Sequence, residues 1–249
     1  MFFFIGLLLF FSQSAPAYTI AHHKDAPDKA VLRLVFCPLH YRDNRDFLND
    51  IGIITKKLFK LKPFSEFEGK IAFSYLELSP EEERLIFKPV SAFPPLLARQ
   101  DFIDGLSEKL KSVYKLVIID AKSGQTCAEL SQIDKISLLI IGRSRYNNSN
   151  SFAKGFLHEL GHSLGLREEF IDAGHNPEPG YPNCAPTKKE AQEWWGDLVG
   201  QGTRVNYIFG CCGNKNYIRP TIASLMNDPD KAEDFGPVNE RYLRQVLAK

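Results

Sequence analysis

The sequence is short of long apolar runs, short of methionine and tryptophan, and without an excess of either charge. Its longest apolar run, Phe2 to Phe11, falls well below the roughly 20 residues that a bilayer-crossing helix needs. Lys and Arg number 31 against 30 Asp and Glu, a net charge of +1. No basic stripe stands out, which argues against a nucleic-acid or anionic-membrane partner. There is no internal repeat and no low-complexity tract, so a solenoid or a disordered chain is not expected. No Cys-x-x-Cys pair occurs, which argues against a cysteine-bound structural zinc.

What is present is a chain of 249 residues with 44% hydrophobic and 24% charged residues, the composition of a packed globular domain. After Phe11 comes Ser12-Gln13-Ser14-Ala15-Pro16-Ala17, polar and ending in small residues. The pattern is that of a secretory leader cleaved after Ala17, although no Lys or Arg precedes its apolar run. Residues 1–17 are therefore read as a signal peptide and 18–249 as one domain, secreted or periplasmic, with no stable membrane insertion once the leader is removed. No large inhibitory pro-segment is expected between Ala17 and Val31. The cysteines are Cys37, Cys127, Cys184, Cys211 and Cys212; in an oxidising compartment at least one stays unpaired. A bond between the adjacent Cys211 and Cys212 is disfavoured, and either of them joined to Cys184 would staple the C-terminal region.

Strands are expected at 31–36, 70–78, 114–119 and 136–141 from β-branched and aromatic content and alternation. Helices are expected at 46–61, 102–113, 152–164, 187–198 and 238–247 from apolar spacing, with Thr187 and Glu190 placed as a capping box. Residues 18–29 read as a loose lead-in, and 166–186 and 200–236 as irregular. The alternation points to an α/β fold with a twisted mixed sheet, a long helix, and a loop-rich C-terminal part.

Residues 158–162 are His-Glu-Leu-Gly-His, on the predicted helix 152–164. Helix positions i and i+4 share a face, so His158 and His162 can hold one Zn2+ ion with their imidazole nitrogens. Glu159 between them is placed to act as general base on a water at the ion's open position. Those residues in that pattern point to hydrolysis of a peptide or amide bond. A catalytic zinc takes three protein ligands. Gly165 can end the helix in a left-handed conformation and turn the chain back toward the metal. Glu168, six residues after His162, stands where such peptidases place their third ligand. Glu169, His175, Glu190 and Glu193 are the alternatives. Met226, in Ser224-Leu225-Met226-Asn227-Asp228-Pro229, can form an apolar floor beneath the ligands.

HELGHSLGLREEF followed by SLMND resembles the metzincins, whose zinc helix is followed by a methionine turn. Within them the chain is most similar to the bacterial IgA-peptidase family, with its HExGHxxxGLxDEY-like stretch. LVFCPLHYRDNRDFLNDI, LKPFSEF, YPNCAPTKKEAQEWW and YIRPTIASLM extend the likeness over nearly the whole mature chain. The stretch after His162 is one residue shorter than in that family, and Glu168-Glu169 replaces an Asp-Glu pair, so the two acids compete as ligand. Immunoglobulin cleavage is not carried over. The resemblance implies a zincin-like catalytic domain, one zinc ion, a protein or peptide substrate, and an edge strand that pairs with it. Strand 136–141 and the loop 142–151 are the candidates for that edge. A zinc-dependent binding module without catalysis and a zinc hydrolase of non-peptide amides are the competing classes. Of the remaining residues, Tyr217 and Arg219 are read as loop braces rather than oxyanion or carboxylate binders. Trp194 and Trp195 are read as packing, His22 and His23 as solvated, and His40 as having no partner in view.

Overall fold

The computed structural model describes residues 19–22, 30–89, 96–98, 100–110, 114–129, 137–171 and 178–249. The expected leader at 1–17 lies outside these residues, as does His175. Six strands form one sheet: β1 (Thr19–His22), β2 (Leu32–Leu39), β3 (Ile71–Glu77), β6 (Lys115–Asp120), β7 (Thr126–Glu129) and β8 (Ser137–Gly142). Their order is β1-β3-β2-β6-β8-β7. The four central strands run parallel, and both edges are antiparallel to their neighbours. The chain is thus α/β with a mixed sheet, as expected.

Alternation along each central strand divides the core in two. Leu34 and Phe36 of β2, with Val117 and Ile119 of β6, face one side. They meet α1 (Asn44–Leu58) through Phe47, Ile51, Ile54 and Leu58, and α4 (Ser149–Ser163) through Phe152, Phe156, Leu157 and Leu160. On the other side Val35, Cys37, Leu116 and Ile118 meet α2 (Pro80–Ile86) at Ile86. The same layer takes in Phe87 of β4 (Phe87–Pro89), which pairs with β5 (Leu96–Ala98), and Phe102 and Leu106 of α3 (Gln100–Leu110). Below the sheet lie α5 (Lys188–Trp195), the hairpin β9 (Ile208–Cys211) and β10 (Asn214–Arg219), and α6 (Pro237–Leu247).

Several expectations are corrected. Strand 136–141 is interior, because β7 pairs antiparallel to β8 and takes the edge. The segment Thr126-Cys127-Ala128-Glu129 is too short and too weakly alternating to read as a strand alone. Residues Thr19–His22, inside the expected lead-in, add to the opposite edge. The stretch 200–236 contains the hairpin β9–β10, whose turn residues Cys212 and Gly213 have φ of +49° and +67°. Two successive left-handed residues match the turn that the twist of a hairpin favours. Helix α2 was legible and overlooked: Ser79 accepts from the Glu82 N–H, and the Glu82 carboxylate accepts from the Ser79 N–H, a complete capping box before Pro80.

His40 also differs from expectation. Its Nδ1 lies 2.8 Å from Asp120 Oδ1, and its backbone N–H donates to Glu83 Oε2 at 2.9 Å. The pair sits at the ends of β2 and β6, in a cleft separate from the one that holds His158 and His162. Trp195 is fully buried, its indole donating to the Asn206 carbonyl, and Trp194 packs edge-on against Tyr181. Both tryptophans have the packing role expected of them.

Candidate metal centre

Helix α4 begins at Asn148, whose side chain accepts from the Ser151 N–H at 2.9 Å. The cap lies in what reads as a polar loop, four residues before the expected start at Phe152. Arg143, just past β8, ties this entry down by donating to buried Asp50 and to the Tyr146 carbonyl. At the other end the Gly165 N–H donates to the His162 carbonyl and the Leu166 N–H to the Gly161 carbonyl. These two bonds, with Gly165 at φ +104°, make the expected glycine stop. Lys115 of β6 caps the same end, donating to the Ser163 carbonyl at 2.7 Å. Its burial pulls its pKa down to about 8.

The turn after Gly165 brings Glu168 back over the helix. His158 Nε2 and His162 Nε2 are 3.1 Å apart, Glu168 Oε2 is 3.2 Å from His162 Nε2, and 3.5 Å from His158 Nε2. Ligand atoms at about 2.0–2.1 Å from a tetrahedral zinc stand about 3.3 Å from one another. The donor triangle therefore has the size that such an ion needs.

The tautomers fit as well. His158 Nδ1 lies 2.7 Å from the Leu225 carbonyl and His162 Nδ1 3.0 Å from the Leu166 carbonyl. Each carbonyl can only accept, so each Nδ1 carries a proton and Nε2 is the nitrogen left to a cation once its own proton is lost. Glu168 Oε1 is buried without a hydrogen-bond partner. A cluster of two imidazoles and one carboxylate, with an unpartnered buried oxygen, suits a divalent cation and wastes none of its donors. The second cluster of potential ligands, Cys184, Cys211 and Cys212, does not fit one. Cys184 and Cys211 are joined as a disulfide, which removes two thiolates and realises the expected staple. Cys37, Cys127 and Cys212 stand outside this disulfide and are buried.

Electrostatics bind the triad tightly. Burial alone would push the His158 pKa down, but the Glu168 hydrogen bond and charge outweigh it and raise the pKa to about 9. Burial would raise the Glu168 pKa, but the two imidazoles draw it down to about 2. Glu159 is buried too, and desolvation raises its carboxyl pKa against the pull of both histidines. A carboxylate shifted toward neutrality is better suited to exchange protons than one fixed at its ordinary value.

Glu169 has a different place. Its N–H donates to the Met226 carbonyl. Its carboxylate accepts from Asn183 and Asn239 at 2.9 Å and from Ser224 at 2.6 Å, fully buried. It bolts the post-helix turn to the methionine turn and does not reach the cluster. Glu190 bonds Thr187 at the start of α5, and Glu193 pairs at long range with Lys189, so neither enters the cluster. Met226 is fully buried, and its Sδ would lie 2.6 Å from a Cβ on Gly161, which places it against α4. Arg219 braces the same layer, donating to the carbonyls of Thr221, Glu169 and Gly210, while Tyr217 packs on the disulfide. Both are loop braces, as read from sequence.

The cluster opens on a cleft of about 580 Å³. Thr126 and Cys127 of the edge strand line it together with Tyr146, Glu159, Arg145, Arg167 and Phe170. The edge strand β7, buried Glu159 and the His158–His162–Glu168 cluster therefore line one cleft. Sequence reasoning missed Thr126 and Arg167, of which Arg167, two residues past the stop glycine, had a position that could have suggested it; Arg145 lies in the loop 142–151 expected beside the substrate, and that loop does line the cleft. No family model matches the chain, and no curated protein sequence is detectably similar to it.

Proposed function

We propose that the protein is a zinc-dependent endopeptidase of metzincin type, exported by its leader. The observation that supports this most is the triangle of His158, His162 and Glu168 donors at 3.1 to 3.5 Å, with Glu159 buried beside it. His158 and His162 would hold the ion through Nε2, their Nδ1–H groups fixed by the carbonyls of Leu225 and Leu166. Glu168 would be the third ligand through Oε2. When bound, zinc supplies a Lewis acid that polarises a carbonyl and acidifies a water. Glu159 takes a proton from the attacking water and returns one to the leaving amine nitrogen.

The outer side of β7, which no other described strand pairs with, would offer backbone N–H and C=O groups to an extended peptide added as a strand along the cleft. Strand addition selects for peptide backbone, which favours a protein or peptide substrate over a sugar-linked amide. The buried Glu159 would have no task in a module that only binds zinc. Helix–sheet packing, the Met226 layer beneath the ligands and the loop-rich lower part accord with the metzincin reading.

The experiment is zinc analysis and peptide turnover of the mature chain beside Glu159→Gln. One zinc per chain in both proteins, with turnover lost by about 10²-fold or more in the variant, is the expected result. A folded wild-type chain that takes up no zinc when it is supplied would end this reading. Zinc in both proteins with no cleavage of any peptide in a broad mixture would favour the binding module.

A further inference from the structure

Arginines in the described residues are nearly all spoken for. Arg45, Arg143, Arg204, Arg241 and Arg244 each pair with a carboxylate. Arg219 is consumed by three backbone carbonyls and Arg84 by the Pro80 carbonyl. Three others, Arg42 at the His40 cleft and Arg145 and Arg167 in the cleft beside the His158–His162–Glu168 cluster, form no ion pair with a described carboxylate.

Arg167 is the most telling of the three. It is half-buried, and its Nε is fully shielded from solvent without a hydrogen-bond partner. Its backbone is fixed, because Asn183 accepts from its N–H at 2.8 Å and donates to its carbonyl at 2.9 Å. Its guanidinium lies on Gly180, where an added Cβ would stand 3.0 Å from Nε and 3.2 Å from Nη2. A glycine is what lets the planar group rest there. A guanidinium held in place, partly desolvated and without an ion pair among the described residues beside the proposed catalytic centre is a costly arrangement unless an anion completes it. Its fork matches a carboxylate in two-point fashion. Arg145, in the segment just before the zinc helix, adds a second positive charge to the same cleft.

We propose that the cleft selects its substrate by a carboxylate bound to Arg167, with Arg145 reinforcing the field. The carboxylate is either an acidic side chain near the scissile bond or the substrate's free C-terminus. The inference rests on the peptidase reading for the word substrate, but the binding preference itself can be measured without turnover.

The test uses the full mature chain carrying Glu159→Gln and fluorescein-labelled peptide pools read by fluorescence anisotropy. Three pools carry a C-terminal amide and one fixed central residue, Glu, Gln or Lys; a fourth is the Gln pool with a free C-terminus. A tenfold or greater preference for the Glu pool over the amidated Gln pool assigns the carboxylate to a side chain, about what a two-point ion pair supplies. The same preference for the free-acid Gln pool assigns it to the C-terminus. In either case Arg167→Met should bring the ratio close to one, and Arg167→Glu should shift preference to the Lys pool. Thermal melting and zinc content of each variant check that fold and metal survive. Equal binding of all pools, or a preference that persists in both Arg167 variants, overturns the proposal. A zinc-loaded, peptide-cleaving chain with equal binding sinks the carboxylate preference alone, whereas absence of zinc and of cleavage sinks the peptidase reading.

Discussion

Glu168 and Glu169 are neighbours of the same chemical type, and the structure gives them opposite consequences when removed. In Glu169→Ala, Asn183 and Asn239 each lose one acceptor while keeping their bonds to the Arg167 and Phe235 carbonyls. Ser224 loses its acceptor as well. Two buried amide donors left open cost about 1–3 kcal/mol each, and the small cavity adds to this, for a total of about 3–5 kcal/mol. At roughly 2–4 °C per kcal/mol for a chain of this size, the melting temperature should fall by about 6–20 °C. The folded variant should still take up one zinc. Glu168→Ala removes one corner of the donor triangle and leaves the Glu169 network intact.

The assay is thermal melting with and without added zinc, with metal content measured after dialysis. Zinc at about a thousand times its Kd stabilises the fold by about 4 kcal/mol, because it binds only the native state. Wild type and Glu169→Ala should both show that gain; Glu168→Ala should not. A Glu169→Ala protein that melts like wild type and loses zinc would refute the reasoning and move the ligand by one residue.

Further outcomes follow from the same geometry. Since the His158 pKa is raised to about 9 from 6.5, its contribution to the stability of the metal-free fold is complete below 6.5 and lost as pH rises through about 9. That bound proton must leave when a cation enters, so zinc affinity should climb about tenfold per pH unit between roughly pH 7 and 9 and then level. Calorimetry in buffers of different ionisation heat should find about one proton released per ion at neutral pH; none released would contradict the tautomer and charge assignment. Gly161→Ala places a Cβ 2.6 Å from Met226 Sδ and 3.1 Å from Phe235 Cε1. The methionine turn must shift, costing about 1–3 kcal/mol, and zinc affinity should fall because Leu225, which orients His158, moves with it; unchanged zinc affinity would show that the turn does not support the ligands. Cys184→Ser opens a link between residues 27 apart and should lower stability by about 2–4 kcal/mol under non-reducing conditions. Dithiothreitol should lower the wild-type melting temperature and leave the variant unmoved; equal sensitivity of the two would mean that the bond contributes nothing.

The sequence by itself determined the parts that depend on neighbours along the chain. Helix spacing put His158, Glu159 and His162 on one turn, and Gly165 stopped that helix because only glycine takes its φ without strain. Apolar alternation fixed the four central strands and so the α/β class. Segments whose state depends on partners were illegible. The edge strand Thr126–Glu129 has no pattern of its own and exists because β8 offers it a ladder. The role of β8 as an inner strand follows from that pairing, which no local signal foretells. Which of Glu168 and Glu169 faces the two histidines is set by tertiary contacts alone. Asn183, Ser224 and Asn239, 14, 55 and 70 residues downstream, capture Glu169 in a buried network. That capture turns the next carboxylate, Glu168, toward the two histidines, since adjacent side chains on an extended segment point to opposite sides.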